Sequence, residues 1–193
     1  MVSLVLDTST KYLYIALIKD EIILDEAIFE GSKNHAGNSV YQIDLLLKKH
    51  NLTTADLNNI YCGYGPGSYT GVRISVTIAK MLASFSEIKL FAISSLFLAG
   101  SGYDNKNVAV MFDARRGNSF CGCYGQHLVD DKLRNNEEFL ECIKEFEDLI
   151  IVNESNFKVN PLKVIKNAEV VNDVDGFVPN YLRITEAEYN LRH

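Results

Sequence analysis

Gly63-Tyr64-Gly65-Pro66-Gly67-Ser68-Tyr69-Thr70-Gly71-Val72-Arg73 separates two different patterns of apolar residues. Before it, Asn59 to Tyr64 is a β-prone run; after it, from about Thr70 to Phe85, the spacing predicts a helix. A glycine-rich link between a strand and a helix is a place where backbone N–H groups can cradle an anion. Two standard versions of such a cradle fail here. A Walker A loop needs Gly-Lys-Ser/Thr, and Gly71 is followed by Val72. A dinucleotide fingerprint counted from Gly65 needs glycine where Thr70 stands. Two readings remain: an irregular turn for close backbone packing, or a phosphate site of another kind.

Upstream, Ser3 to Leu6, Tyr12 to Ile18 and Ile22 to Phe29 are short β-prone runs split by the polar turns Thr8-Ser9-Thr10-Lys11 and Lys19-Asp20-Glu21. They read as an antiparallel meander. A helix follows from about Gly37 to His50, with Asn38 or Ser39 as a candidate cap and Lys48, Lys49 and His50 suited to its negative end. Leu90 to Ser94 reads as a further strand. The order βββαβα is an α/β unit with a mixed sheet.

Gly100-Ser101-Gly102 reads as a linker. Beyond it, Val108 to Phe112 reaches Asp113, turns through Ala114-Arg115-Arg116-Gly117 and returns from Ser119 to Tyr124. LVLDTSTKYLYIAL has the same layout around Asp7, so the second half reads as a duplicate of the first. The expected division is 1–100 and a smaller 104–193, with the last residues free to return to the first unit. Asp130-Asp131 reads as a solvated turn, Asn136 to Phe146 as a helix, Leu149 to Val152 as a strand, and Pro161 to Asn167 as a helix with proline in its first turn.

A net charge of −6, with 19 Lys and Arg against 25 Asp and Glu and no basic stripe, argues against a protein that grips nucleic acid by itself. The start lacks a basic n-region, and Ile88 to Gly100 is too short to span a bilayer, so a cytoplasmic location is expected. The four cysteines form no CxxC pair, and Cys121 and Cys123 share one strand face, which suits a core role. The four histidines, His35, His50, His127 and His193, show no HxxxH or HExxH spacing, so no metal site is expected.

Gly65 to Arg73, GPGSYTGVR, closely resembles the signature GPGSFTGLR of the TsaB (YeaZ) family; the family-motif residues are Gly65, Pro66, Gly67, Ser68, Thr70, Gly71 and Arg73. Leu6-Asp7-Thr8-Ser9-Thr10, Asp113-Ala114-Arg115-Arg116 and Pro179-Asn180-Tyr181-Leu182-Arg183 follow that family's order. The resemblance implies an actin-like ATPase (ASKHA, ribonuclease H-like) fold of two related subdomains. It also implies a part in making N6-threonylcarbamoyladenosine in tRNA, as a non-catalytic scaffold beside the catalytic paralog TsaD and the ATPase TsaE. The implied partners are TsaD, TsaE through it, tRNA only through the complex, and a second copy of the chain in isolation. No cofactor is implied, although a nucleotide at the partner junction is compatible with the family.

Asp7, Thr8, Ser9 and Asp113 stand where actin-like ATPases contact phosphate, but neither turn holds the glycine that lets backbone approach phosphate. They read as a vestigial pocket. The histidine motif of the catalytic paralogs is replaced by Ser94-Ser95-Leu96-Phe97-Leu98. The competing reading is a small-molecule kinase or ATPase of the same fold with its own nucleotide site.

The two N-terminal helices carry surplus apolar surface. Tyr41 and Leu45 form a second stripe on the first, about 100° from Val40, Ile43 and Leu47. On the second, Gly71, Ser75, Ala79 and Ala83 recur at four-residue spacing as a smooth ridge. Tyr41, Leu45, Gly71, Ser75, Ala79 and Ala83 are therefore the candidate partner interface. The alternative is that both helices are buried inside the domain.

Overall fold

The structure is a computed structural model that describes residues 1–30, 35–84 and 87–182. Three strands, β1 (Val2–Asp7), β2 (Tyr12–Lys19) and β3 (Ile22–Glu30), form the expected meander. α1 (His35–Lys49), β4 (Leu57–Gly63), α2 (Tyr69–Ser84) and β5 (Lys89–Ile93) complete the first unit. The helix begins before the caps proposed for it, so Asn38 and Ser39 lie inside α1 rather than at its start. Phe85 and Arg183 lie outside the described residues.

The first sheet has the order β10-β5-β4-β1-β2-β3, where β10 is Glu169–Val170. β2 runs antiparallel to β1 and β3, while β4 runs parallel to β1 and to β5. The second sheet has the order β8-β7-β6-β9, from β6 (Asn107–Asp113), β7 (Asn118–Gly125), β8 (Val129–Asn135) and β9 (Leu149–Val152). β6 is antiparallel to β7 and parallel to β9, so it repeats the position of β1. Asp7 ends β1 and Asp113 ends β6, which is the sequence repeat seen in three dimensions. This is the actin-like frame, a ribonuclease H-like sheet used twice.

β1 is buried along its whole length because both faces of the first sheet are covered. On one face, Leu4, Leu6, Ile15 and Leu17 meet Ile43 and Leu47 of α1 and Val76 and Ala79 of α2. On the other, Val5, Tyr14, Ala16 and Ile18 meet Leu98 of α3 (Ser95–Gly100) and Val164 of α5 (Pro161–Asn167). Leu96 and Ala99 of α3 pack on β6, so this helix lies between the two sheets. Phe139 and Ile143 of α4 (Asn136–Ile143) cover the far face of the second sheet, where Cys121 and Cys123 are buried as expected.

Two local expectations are corrected. Asp130 and Asp131 belong to β8, not to a solvated turn. The half-buried Asp131 carboxylate accepts from Tyr124 Oη and Ser94 Oγ. Gly100-Ser101-Gly102 is no loose connector. A Cβ on Gly100 would come within 2.8 Å of Val108 and 2.9 Å of Val110, and the Gly102 N–H donates to the Lys158 carbonyl at 2.8 Å. The run after β5 forms α3, capped by Ser94 Oγ, which accepts from the Leu96 and Phe97 N–H groups.

Candidate functional site

Asp7, Thr8 and Ser9 leave β1 at the turn where a phosphate-binding hairpin would open, and all three are buried. Their polar atoms are satisfied from within the chain. Asp7 Oδ1 accepts from Ser9 N–H at 2.9 Å and Ser9 Oγ at 2.7 Å, and Asp7 Oδ2 accepts from Ser95 Oγ at 2.5 Å. Thr8 Oγ1 donates to the Gly71 carbonyl at 2.6 Å and accepts the Ser75 N–H at 3.0 Å. The expected vestigial pocket at these residues is therefore filled by the chain itself. Asp113, its counterpart in the second sheet, is exposed and accepts the Arg115 N–H at 2.8 Å.

The glycines of the signature serve the first of the two readings, close backbone packing. A Cβ on Gly63 would overlap the Asp7 carboxylate, one on Gly67 the Ser9 carbonyl, and one on Gly71 the Thr8 carbonyl. The loop is pinned by Ser68 N–H to the Ser9 carbonyl at 2.6 Å and by Ser95 N–H to the Gly65 carbonyl at 2.9 Å. Ser95 thus ties the loop and Asp7 together; nothing in its sequence context marked it.

The remaining motif residues converge on the same place. Asn180 N–H donates to the Tyr64 carbonyl at 2.8 Å. Arg73 lies 4.0 Å from the Tyr69 ring centroid and donates through Nε to Tyr181 Oη at 2.6 Å. Stretches more than a hundred residues apart in the chain are thereby joined into one structural unit. Pro66 completes the loop, with Gly65-Pro66 in the cis form, and Thr70 stands in the first turn of α2.

The interface candidates divide. Gly71, Ser75 and Ala79 are buried under α2 against β1, β4 and their turns, and Ala79 is fully inaccessible. The ridge packs within the chain because its small residues let α2 lie close on the sheet, so it is corrected from interface to core; Ala83, half-buried, packs at the edge of the same core. Tyr41 and Leu45 are exposed on α1, 57% and 42% accessible. With Val40 at 55% and Met81 at 57%, Tyr41 borders an apolar groove of about 460 Å³ between α1 and α2, lined also by Ile43 and Ile78; Leu45 is exposed but does not line it. Val40 and Met81 were visible as helical apolar residues, but only the packing separates them from the core set.

The comparisons with known proteins point the same way as the motif. Residues 29–160 match the family model described as "TsaD: tRNA N6-adenosine threonylcarbamoyltransferase". The tRNA threonylcarbamoyladenosine biosynthesis protein TsaB of Bacillus subtilis is 33% identical, over 97% of this chain and 96% of its own length. The chain belongs to the TsaB family. A TsaB of Buchnera aphidicola is 32% identical over 83% of this chain and 73% of its own. YeaZ from Pseudomonas aeruginosa, at 22% identity and a TM-score of 0.75 over 94% of this chain and 99% of its own, shares the fold. In this TsaB chain the signature is thus a packing device between the first hairpin and α2.

Burial pushes the Asp7 carboxyl above its usual range, against the opposing hydrogen bonds from Ser95 and Ser9. A carboxyl whose pKa is raised on folding contributes stability that is fully present below its unfolded value and is lost as the pH rises through the folded value. Asp7→Asn removes that titration while keeping the shape. Urea unfolding from pH 4 to pH 7 should show the wild-type chain losing stability relative to Asp7→Asn as the pH rises. Parallel pH profiles would mean that Asp7 is not desolvated.

Proposed function

We propose that this chain is a non-catalytic scaffold of tRNA threonylcarbamoyladenosine biosynthesis, docking a TsaD-type catalytic paralog through the exposed faces of α1 and α2. The carrying observation is the apolar groove bordered by Val40, Tyr41 and Met81 on a chain whose first hairpin is otherwise closed. Three exposed large apolar side chains around one groove mark a surface meant to be covered. A TsaD-type paralog is the favoured occupant because this chain itself matches the TsaD family model over residues 29–160. TsaE would join through that paralog, and tRNA would reach the chain only in the complex.

The scaffold reading, rather than a kinase or ATPase with its own site, is supported by how Asp7 and Thr8 are used. Both carboxylate oxygens of Asp7 are committed to serines, and Thr8 Oγ1 both donates and accepts within the chain. A phosphate would have to displace those bonds and the glycine loop packed behind them. The test is reconstitution with the TsaD-type partner and TsaE, with and without this chain, read as modified adenosine in tRNA. The modification should require this chain, which alone should not hydrolyse ATP. ATP turnover by the pure chain that disappears in Asp7→Ala refutes the scaffold reading. A stable homodimer that excludes the paralog from the groove refutes the docking assignment.

A further inference from the structure

Arg73 is held in place by two tyrosines. Its guanidinium lies 4.0 Å from the Tyr69 ring centroid and 5.6 Å from that of Tyr181. Nε donates to Tyr181 Oη at 2.6 Å and Nη2 to Tyr69 Oη at 2.5 Å, while the two rings pack on each other at 5.0 Å between centroids. Both acceptors are neutral, and among the described residues Arg73 takes part in no ion pair. A guanidinium has more N–H donors than these two bonds use. A fixed, exposed cation with donors to spare therefore stands near the start of α2.

Holding the segment 171–182 does not by itself call for a cation at this position. That segment is already tied to the first unit by Val171 N–H to the Leu90 carbonyl at 2.9 Å and Asn180 N–H to the Tyr64 carbonyl at 2.8 Å. Lys80 Nζ adds bonds to the Asp175 and Phe177 carbonyls at 2.7 and 3.0 Å, and Val174 and Phe177 pack on the first core. The position of Arg73 points elsewhere. Arg73, Thr77 and Met81 are all exposed and follow one another at four-residue spacing along α2. Arg73 thus stands about 12 Å along the helix from Met81, which borders the groove. A stable interface covers about 800 Å² on each partner, a patch roughly 30 Å across. A partner centred on the groove therefore covers Arg73 as well.

Arginine and tyrosine are favoured anchors of such contacts, and a guanidinium fixed beforehand loses little freedom on binding. A cation covered by a partner needs a counter-charge, or its desolvation weakens the contact. We propose that Arg73 receives a carboxylate of the TsaD-type partner when that partner covers the α1–α2 groove. This inference rests on the docking reading above. A second copy of the chain is the poorer match. α2 contains no Asp or Glu, and Asp44, the acidic residue of α1, is already paired with Lys48 at 2.7 Å.

The test is titration calorimetry of the full-length chain with the TsaD-type partner at low and high salt. R73M, which removes the charge, should bind about 10-fold more weakly than wild type at about 50 mM salt. At about 500 mM, where the charges are screened, it should come within about 3-fold of wild type. R73K should keep the salt sensitivity, and Y181F, which keeps both the cation and the ring, should bind like wild type. No loss in R73M, or an equal loss at both salts, overturns the inference and leaves the groove to be judged by its own variants. Losses in R73K and Y181F as large as in R73M assign Arg73 to holding the 171–182 segment and also overturn it. That comparison decides the matter even if R73M melts at a lower temperature. A homodimer that R73M disrupts places the cation against a second copy and overturns the inference too. Failure of the wild-type chain to bind the partner refutes the docking reading itself, and the inference falls with it.

Discussion

Ala79→Arg is expected to cost the chain most of its folded stability, not merely its partner. Ala79 is fully buried on the face of α2 that meets the first sheet, within the core formed by Leu6, Ile43, Cys62 and Val76. Arginine there would both overpack the helix–sheet contact and bury a cation without a counter-charge. Overpacking alone costs about 1–3 kcal/mol, and an unpaired buried charge adds several more. Against a total stability of about 5–15 kcal/mol, the folded fraction should fall sharply. Gly71→Ala offers a milder version of the same test, since its single added methyl would overlap the Thr8 carbonyl. About 3 kcal/mol or more is expected, because the obstacle is backbone rather than a movable side chain. Circular dichroism during heating and urea titration would measure both. A normally melting Ala79→Arg chain would show that α2 does not pack on the sheet as described.

Tyr41→Asp and Met81→Glu should do the reverse. Each lies more than half exposed at the rim of the α1–α2 groove, so the isolated chain should unfold within about 0.5 kcal/mol of wild type. Binding of the TsaD-type partner should weaken by about 30-fold or more for either change, as expected when a central aromatic or methionine anchor worth about 2 kcal/mol is replaced by a charge. Titration calorimetry on samples with matched melting curves would separate affinity from folding. Full-strength binding by both variants would remove the groove from the interface. Weak binding together with a lowered melting temperature would assign Tyr41 and Met81 to the fold.

Much of the architecture was legible because it rests on local patterns. The three-strand meander, the two helices and the repeat around Asp7 and Asp113 each follow from apolar periodicity broken by polar turns. The missed elements are those whose local signal is weak or misleading. β8 reads VDDKLRN, polar at most positions, and is a strand because β7 offers it a free edge and Asp131 finds Tyr124 and Ser94. α3 is only six residues long and holds its place by filling the space between two sheets. No isolated segment of that length would be helical in water.

The same division runs through the site. The sequence by itself determined the family and the duplicated frame, because a strand–glycine loop–helix signature is a local and specific pattern. It also carried the hydroxyls and carboxylate that close the first hairpin. What it could not determine is which way each face of α2 points. Small residues at four-residue spacing suit a partner helix and a chain's own sheet equally well, because both reward close approach. Only the tertiary structure decided that Gly71, Ser75 and Ala79 turn inward, where Thr8 and Gly63 supply their polar contacts. With that face used, Met81 is left outward beside Val40 and Tyr41. The surface open to a partner is thus a remainder, set by what the core has already taken.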